Sequence, residues 1–306
     1  MDVGTMLRPP DPAFGASLAA LWGERPDLQE AYSDPEGPGL VRWAATSGVL
    51  EYPERLGRFW PPVPPLEYRR TACGGATEQS HLWTATEDLE ALRSLWDWLG
   101  GRPWTSIGSV LDFGCGCGRV LRWFPTALPG ARVTGCDVRR ASIDWCAANL
   151  EGDYHATGTR PPLPFADDSF DLVYALSVFS HLNRASNLAW LRELARVCRP
   201  DGRLLLTTFG PFAVWVLGHS AEHREAFRVA PAQVPDYMAR LQAEGFLFHA
   251  LPAERIRSMD GVERDYGQTF LTADFVAEEW ASHVEVVGHV PASLSLLQDF
   301  WVLRPR

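Results

Sequence analysis

Three glycines set one residue apart constrain this chain more than any other feature. They are Gly114, Gly116 and Gly118 in the run Val110-Leu111-Asp112-Phe113-Gly114-Cys115-Gly116-Cys117-Gly118-Arg119. The apolar stretch Ser109 to Phe113 reads as a buried strand, and Arg119 to Leu128 as the amphipathic helix after it. Between them the chain must turn sharply and leave backbone N–H groups bare, which alternate glycines permit. Such a turn at the carboxyl end of a first strand builds a nucleotide-type pocket.

The spacing narrows the kind of pocket. Glycine holds the first, third and fifth positions of the turn and Arg119 the sixth. The dinucleotide fingerprint wants glycine at the first, third and sixth, and a phosphate P-loop ends in Gly-Lys-Ser/Thr, which is missing here. The next strand, Arg132 to Gly135, ends at Asp137, about twenty residues past the turn. A carboxylate there can accept hydrogen bonds from both hydroxyls of an adenosyl ribose. The competing reading is a glycine turn made for helix packing, followed by a solvated Asp.

Four segments in order carry a closer resemblance. They are Val110–Arg119, the strand ending Gly135-Cys136-Asp137, the run Leu163-Pro164-Phe165-Ala166-Asp167-Asp168-Ser169-Phe170-Asp171-Leu172-Val173, and Leu194–Leu206 with Arg199-Pro200-Asp201-Gly202 at its centre. The chain resembles the class I S-adenosylmethionine-dependent methyltransferases from about Leu89 to Thr208, and more loosely in the strands that follow. The resemblance implies S-adenosylmethionine as cofactor and S-adenosylhomocysteine as product. It implies a doubly wound α/β fold with a mostly parallel seven-stranded sheet whose last strand is antiparallel. It places Gly114, Cys115, Gly116 and Gly118 against the methionyl and ribose parts, Asp112 near the ammonium, Arg119 on the carboxylate, and Asp137 with Val138 at the ribose. Thr157, Gly158 and Thr159 fall at the adenine, and Leu176 and Ser177 over the reactive methyl. Gly158 stands where the family often has a carboxylate for the adenine amino group, so adenine must be held by backbone, by Thr157 or Thr159, or by Asp167 or Asp168.

The substrate is narrowed mainly by exclusion. Net charge is −10, which argues against a broad electrostatic footprint on nucleic acid or an anionic membrane. The loop Tyr174 to Leu182 lacks the Pro-Pro-aromatic motif of enzymes that methylate amino groups on DNA and glutamine, and no Pro-Cys dipeptide occurs for cytosine C5 chemistry. The start Met1-Asp2-Val3-Gly4 has neither the basic nor the apolar region of a secretory signal. Phe209 to Gly218 is too short to span a bilayer and holds Pro211. Six cysteines, Cys73, Cys115, Cys117, Cys136, Cys146 and Cys198, show no zinc spacing, and the expectation is no metal and a reduced, cytoplasmic setting. A small-molecule partner is expected, with dimerisation left open.

Residues 1 to about 70 read as an N-terminal extension or cap, followed by a methyltransferase domain over 71–306. Leu18–Trp22 and Val41–Ala45 read as short helices with prolines and glycines breaking the rest, and Pro61-Pro62-Val63-Pro64-Pro65 as a stiff spacer. Four of the thirteen tryptophans (Trp22, Trp43, Trp60, Trp83) lie in or beside this region, so it folds onto something. Thr84 and Glu87 stand in capping-box spacing before an apolar stripe running to Leu99. Strands and helices then alternate to residue 208, which means a parallel sheet covered on both faces. Residues 209–266 are long for a connection and read as a roof over the substrate. A helix from Ala273 with Thr272 as N-cap, and two closing strands, complete the chain.

His181 is the first candidate for a general base, because imidazole exchanges protons near neutral pH. A structural histidine fixing the loop is the other reading. His219, His223, Asp265 and Tyr266 are further candidates, and His219 and His223 are spaced to share a helix face. The leading expectation is methylation of a hydroxyl on a small molecule, a specialised metabolite or glycan unit. The alternatives are an N- or C-methyltransferase acting on a small molecule or protein, and a non-catalytic partner protein that binds the cofactor. A nicotinamide-dependent dehydrogenase is disfavoured by the glycine spacing.

Overall fold

The computed structural model describes residues 2–70, 77–99, 101–251 and 266–306. Cys73 and Asp265 lie outside the described residues. The N-terminal region is a chain of short helices, the longest being α1 (Pro12–Glu24). Its prolines start helices more than they break them. Pro12, Pro26, Pro38 and Pro53 each open one, where the missing N–H would have had no intrahelical partner. Residues 61–65 form neither helix nor strand.

Helix α2 (Glu78–Leu99) begins seven residues earlier than the Thr84 capping box suggests. The hydroxyl of Thr77 takes the Ser80 N–H at 3.1 Å and so acts as the cap. Thr84 lies inside the helix, its hydroxyl donating back to the Ser80 carbonyl at 2.8 Å. The early start brings His81 into the buried face together with Ala85, Asp88 and Leu92.

The central sheet begins with β1 (Ser109–Phe113), β2 (Arg132–Asp137), β3 (Asp153–Ala156), β4 (Phe170–Ala175) and β5 (Cys198–Phe209). They lie side by side in the order β3-β2-β1-β4-β5, all parallel. α3 (Arg140–Asn149) and α4 (Arg184–Val197) make two of the crossovers. The helix expected over 119–128 does not form as one unit. A 3₁₀ turn (Leu121–Trp123) and a single turn of α-helix (Phe124–Ala127) take its place. Pro125 is the cause: inside a longer helix it could not donate to Leu121 and its ring would strike that carbonyl.

After β5 come α5 (Pro211–His219), α6 (Ala221–Phe227) and α7 (Val234–Glu244). An antiparallel hairpin follows, β6 (Phe246–Ala250) with β7 (Gly267–Leu271). β7 has no counterpart in the sequence reading. α8 (Ala273–Glu279) starts at Thr272, whose hydroxyl accepts the Phe275 N–H at 3.2 Å. β8 (Val284–Leu294) and β9 (Gln298–Pro305) close the chain, with β9 antiparallel to β5 and to β8. The seven strands β3-β2-β1-β4-β5-β9-β8 thus form the expected sheet with one antiparallel member, and β6–β7 adds two more.

The position of β7 sets the roof. β4 stops at Ala175 opposite Leu206, whereas β9 covers the other edge of β5 as far as Phe209. β7 pairs with Phe209 on the edge that β4 has vacated, and so sits directly above the loop leaving β4. A small core of Phe209, Phe227, Tyr237, Leu241, Leu247 and Phe270 binds roof helices to hairpin. The N-terminal helices do not form a core of their own. Phe14, Leu40 and Trp60 belong to one continuous buried cluster with Trp96, Val110, Tyr174 and Phe300.

Candidate active site

The glycine turn has the shape its composition requires. Gly114, Gly116 and Gly118 all have positive φ, at 80°, 54° and 72°. A Cβ on Gly114 would stand 2.4 Å from Val178 Cγ2, and one on Gly118 2.4 Å from Leu150 Cδ1. The backbone N–H groups of Gly114 and Cys115 both donate to the Cys136 carbonyl, at 2.8 and 3.0 Å, tying the turn to the end of β2. Cys115 and Cys117 are buried.

Two carboxylates flank the turn. Asp112, buried at the end of β1, accepts a hydrogen bond from the Tyr174 hydroxyl at 2.8 Å. Burial pushes its carboxyl up to about 7, against the Tyr174 hydrogen bond and Arg119. Asp137, at the end of β2, accepts the Gly116 N–H on Oδ2 and the Arg139 N–H on Oδ1, both at 2.8 Å. Burial raises its pKa, and those two N–H groups hold the rise back. Val138 follows, half-buried.

Arg119 is not a solvated helix-start residue. It is buried, ion-paired with Asp88 and within 3.3 Å of the Thr84 hydroxyl, both on α2. Beyond β3 the Thr157 N–H donates to the Asp137 carbonyl at 2.9 Å, so the segment expected at the adenine runs beside the residue expected at the ribose. Thr157 and Thr159 are half-buried and Gly158 is exposed.

The loop after β4 is held from three sides. Ser177 is a non-glycine residue with φ of 58°, a conformation that costs energy and needs support. Its N–H donates to Thr207 Oγ1 at 2.8 Å, and its hydroxyl accepts from Gln298 Nε2 at 2.7 Å. Leu176 beside it is half-buried. Residues 180–182 then pair with the roof: Thr269 N–H donates to the Ser180 carbonyl at 2.8 Å, and Gly267 N–H to the His181 carbonyl at 3.1 Å. The His181 ring stacks on Tyr266 at 4.7 Å, and its Nδ1 lies 2.8 Å from the Gly267 carbonyl. A carbonyl can only accept, so Nδ1 carries the proton and the lone pair of the neutral ring is on Nε2.

The other histidine candidates separate. Ser220 ends α5, and its hydroxyl, which accepts the His223 N–H at 3.3 Å, caps α6. His219 and His223 therefore sit on different helices, and the shared helix face expected from their spacing does not exist. His219 stacks on Trp215 at 4.1 Å. Tyr174, Thr207 and Gln298, which brace the site, escape a reading by motif. Each lies in an apolar strand, and only the alternation of β5 and β9 hints that Thr207 and Gln298 share a face.

A fold of this order, with a glycine turn and a carboxylate one strand over, defines a doubly wound protein with an adenosyl-cofactor site. Residues 111–206 match a family model described as a methyltransferase domain. The match runs from within β1 to within β5 and marks this central part of the chain as a methyltransferase domain. It is 35% identical over 144 residues to the ubiquinone/menaquinone biosynthesis C-methyltransferase of Paracoccus denitrificans, covering 45% of this chain and 55% of that protein. It is 31% identical over 152 residues to the ubiquinone biosynthesis O-methyltransferase of Maricaulis maris, covering 44% and 58%. The chain thus spans little more than half the length of these relatives. A solved structure of the magnesium protoporphyrin IX methyltransferase from Synechocystis, with bound S-adenosylhomocysteine, aligns over 88% of this chain and all of that one, at 14% identity and a TM-score of 0.46.

The residues present fit the cofactor. Asp112 is a buried carboxylate whose pKa is raised by burial, and an ammonium beside it would offset that cost. The turn beside it has no room for a Cβ at Gly114. Among the described residues no helix is long and apolar enough to cross a membrane.

Proposed function

We propose that the protein transfers a methyl group from S-adenosylmethionine to a hydroxyl of a small molecule, a specialised metabolite or glycan unit. The observation that carries this reading is His181, its tautomer set by the Gly267 carbonyl and its ring placed between the β4 loop and the roof. S-adenosylmethionine, when bound, supplies an electrophilic methyl on a cationic sulfur that leaves as a neutral thioether. This chain's residues would do the rest. Asp112 would take the ammonium, and the bare backbone of Gly114, Cys115, Gly116 and Gly118 would close on the cofactor. Each Asp137 oxygen keeps a further lone pair beyond the N–H it accepts, enough for two ribose hydroxyls. Val138, Thr157, Gly158 and Thr159 would line the adenosine end, and Leu176 and Ser177 the space beside the methyl. Arg119, committed to Asp88, would act on the carboxylate as a nearby charge. His181 Nε2 would take the proton of the acceptor hydroxyl, while the roof keeps water out.

The second reading is transfer to carbon or nitrogen. Similarity to a C-methyltransferase at 35% identity supports it, and such an acceptor need not form an alkoxide. Release of S-adenosylhomocysteine over an acceptor panel, with wild type and His181→Asn, separates the two. For a hydroxyl acceptor, kcat should fall by about 10²–10⁴-fold while calorimetric affinity for S-adenosylhomocysteine stays the same. Full turnover by His181→Asn would discard the hydroxyl reading.

A further inference from the structure

Three arginines and a histidine are buried together where residues 61–70 meet the first turns of α2 and the 3₁₀ turn at Leu121–Trp123. Arg69, Arg119 and Arg122 are each less than a tenth exposed, and His81 is wholly buried. Burial and the charges of Arg119, Arg122 and Arg69 hold the His81 pKa down to about 3, so its ring is neutral. Counter-charge is short. Asp88 is committed to Arg119, and the exposed Glu78 approaches Arg69 only to 3.5 Å. Arg122 meets no carboxylate among the described residues, and its Nη2 donates to the carbonyls of Pro61 and Pro62.

Among the described residues, six nitrogens here are buried without a hydrogen-bond partner: Nε and Nη1 of Arg69, Nε and Nη1 of Arg122, and both ring nitrogens of His81, of which one is a donor in the neutral ring. A buried N–H without an acceptor is costly, and more so when it carries charge. Water could accept from these groups, but it would not balance the charge. A role in pinning the N-terminal region would need only carbonyl acceptors, such as those Arg122 Nη2 already has.

We infer that this seam is an oxyanion-binding site, in which Arg69, Arg122 and the His81 ring receive a carboxylate or phosphate group. The anion has two sources. It is either an acidic group on the acceptor or the amino-acid carboxylate of the cofactor, since Arg119 connects the seam to Asp112. Both sources rest on the function proposed above, whereas binding of an oxyanion at the seam does not.

The test is thermal unfolding and calorimetry on the full chain with inorganic phosphate and with malonate. Wild type should gain melting temperature with either anion. Arg69→Met and His81→Phe should bind them at least about tenfold more weakly, the loss expected for one charge-assisted hydrogen bond. Arg69→Met without ligand should melt no lower than wild type, because a buried cation met only by the exposed Glu78 has been removed. If His81→Phe fails to fold, the Arg69→Met comparison decides. Phosphate that still binds under saturating S-adenosylhomocysteine assigns the site to the acceptor. Phosphate displaced by S-adenosylhomocysteine but not by methylthioadenosine, which lacks the carboxylate, assigns it to the cofactor. No effect of either anion on wild type, or the same effect on Arg69→Met, overturns the inference. Failure to bind S-adenosylhomocysteine at all would strike the proposed function and leave the phosphate result standing.

Discussion

Asp112 shows how one residue trades stability for a site. Its carboxyl titrates near 7 in the folded chain and near ~3.9 when unfolded. Between those values the unfolded chain releases the proton and the folded chain keeps it, so stability is greatest below the lower value and falls as pH rises through the higher. The loss from this group is roughly 4 kcal/mol at most. Asp112→Asn should therefore melt higher than wild type at pH 8 without cofactor, flatten the pH dependence, and bind S-adenosylhomocysteine poorly. A variant that melts lower at pH 8 with an unchanged slope would show that the buried carboxylate carries no such cost. Gly114 is the complementary case, where a missing atom matters. Gly114→Ala forces a left-handed alanine, worth about 1–2 kcal/mol, and drives its Cβ into Val178. Urea unfolding should show Val178→Ala recovering the steric part but not the backbone part.

At the scale of elements, α2 and the stretch after the glycine turn show how local signals mislead. The capping-box spacing pointed to Thr84 as the start of α2, and Thr77 serves instead because its hydroxyl meets the bare Ser80 N–H. Thr77→Ala should cost about 1 kcal/mol in a denaturant titration, and a negligible change would return the helix start to Thr84. After the glycine turn the apolar period continues through Pro125, but the helix does not, because Pro125 has no N–H to extend it. Strand β7 could not be read at all. It is five residues long, and its partners, β6, Phe209 and residues 180–182, are far away in sequence.

For the molecule as a whole, the N-terminal helices and the sheet share one buried cluster. A shared core couples the stabilities of its parts, so heating should give a single transition, with the calorimetric and van't Hoff enthalpies equal. A separate early transition for the first seventy residues would mean that the cluster is energetically divided. The antiparallel closing strand followed from the family resemblance, whereas the sequence alone determined the parallel sheet, the glycine turn and the two carboxylates beside it. These depend on periodicity and on backbone conformations that few residue types allow, and both are local properties. Tertiary structure alone decided that Arg119 answers Asp88, that Gln298 and Thr207 brace Ser177, that the roof fixes the His181 tautomer, and that His81 is enclosed by arginines. Each of these joins residues tens to more than a hundred positions apart. Burial then turns such a meeting of charges into a shifted pKa or an unmet hydrogen bond, and burial is a property of the packed chain.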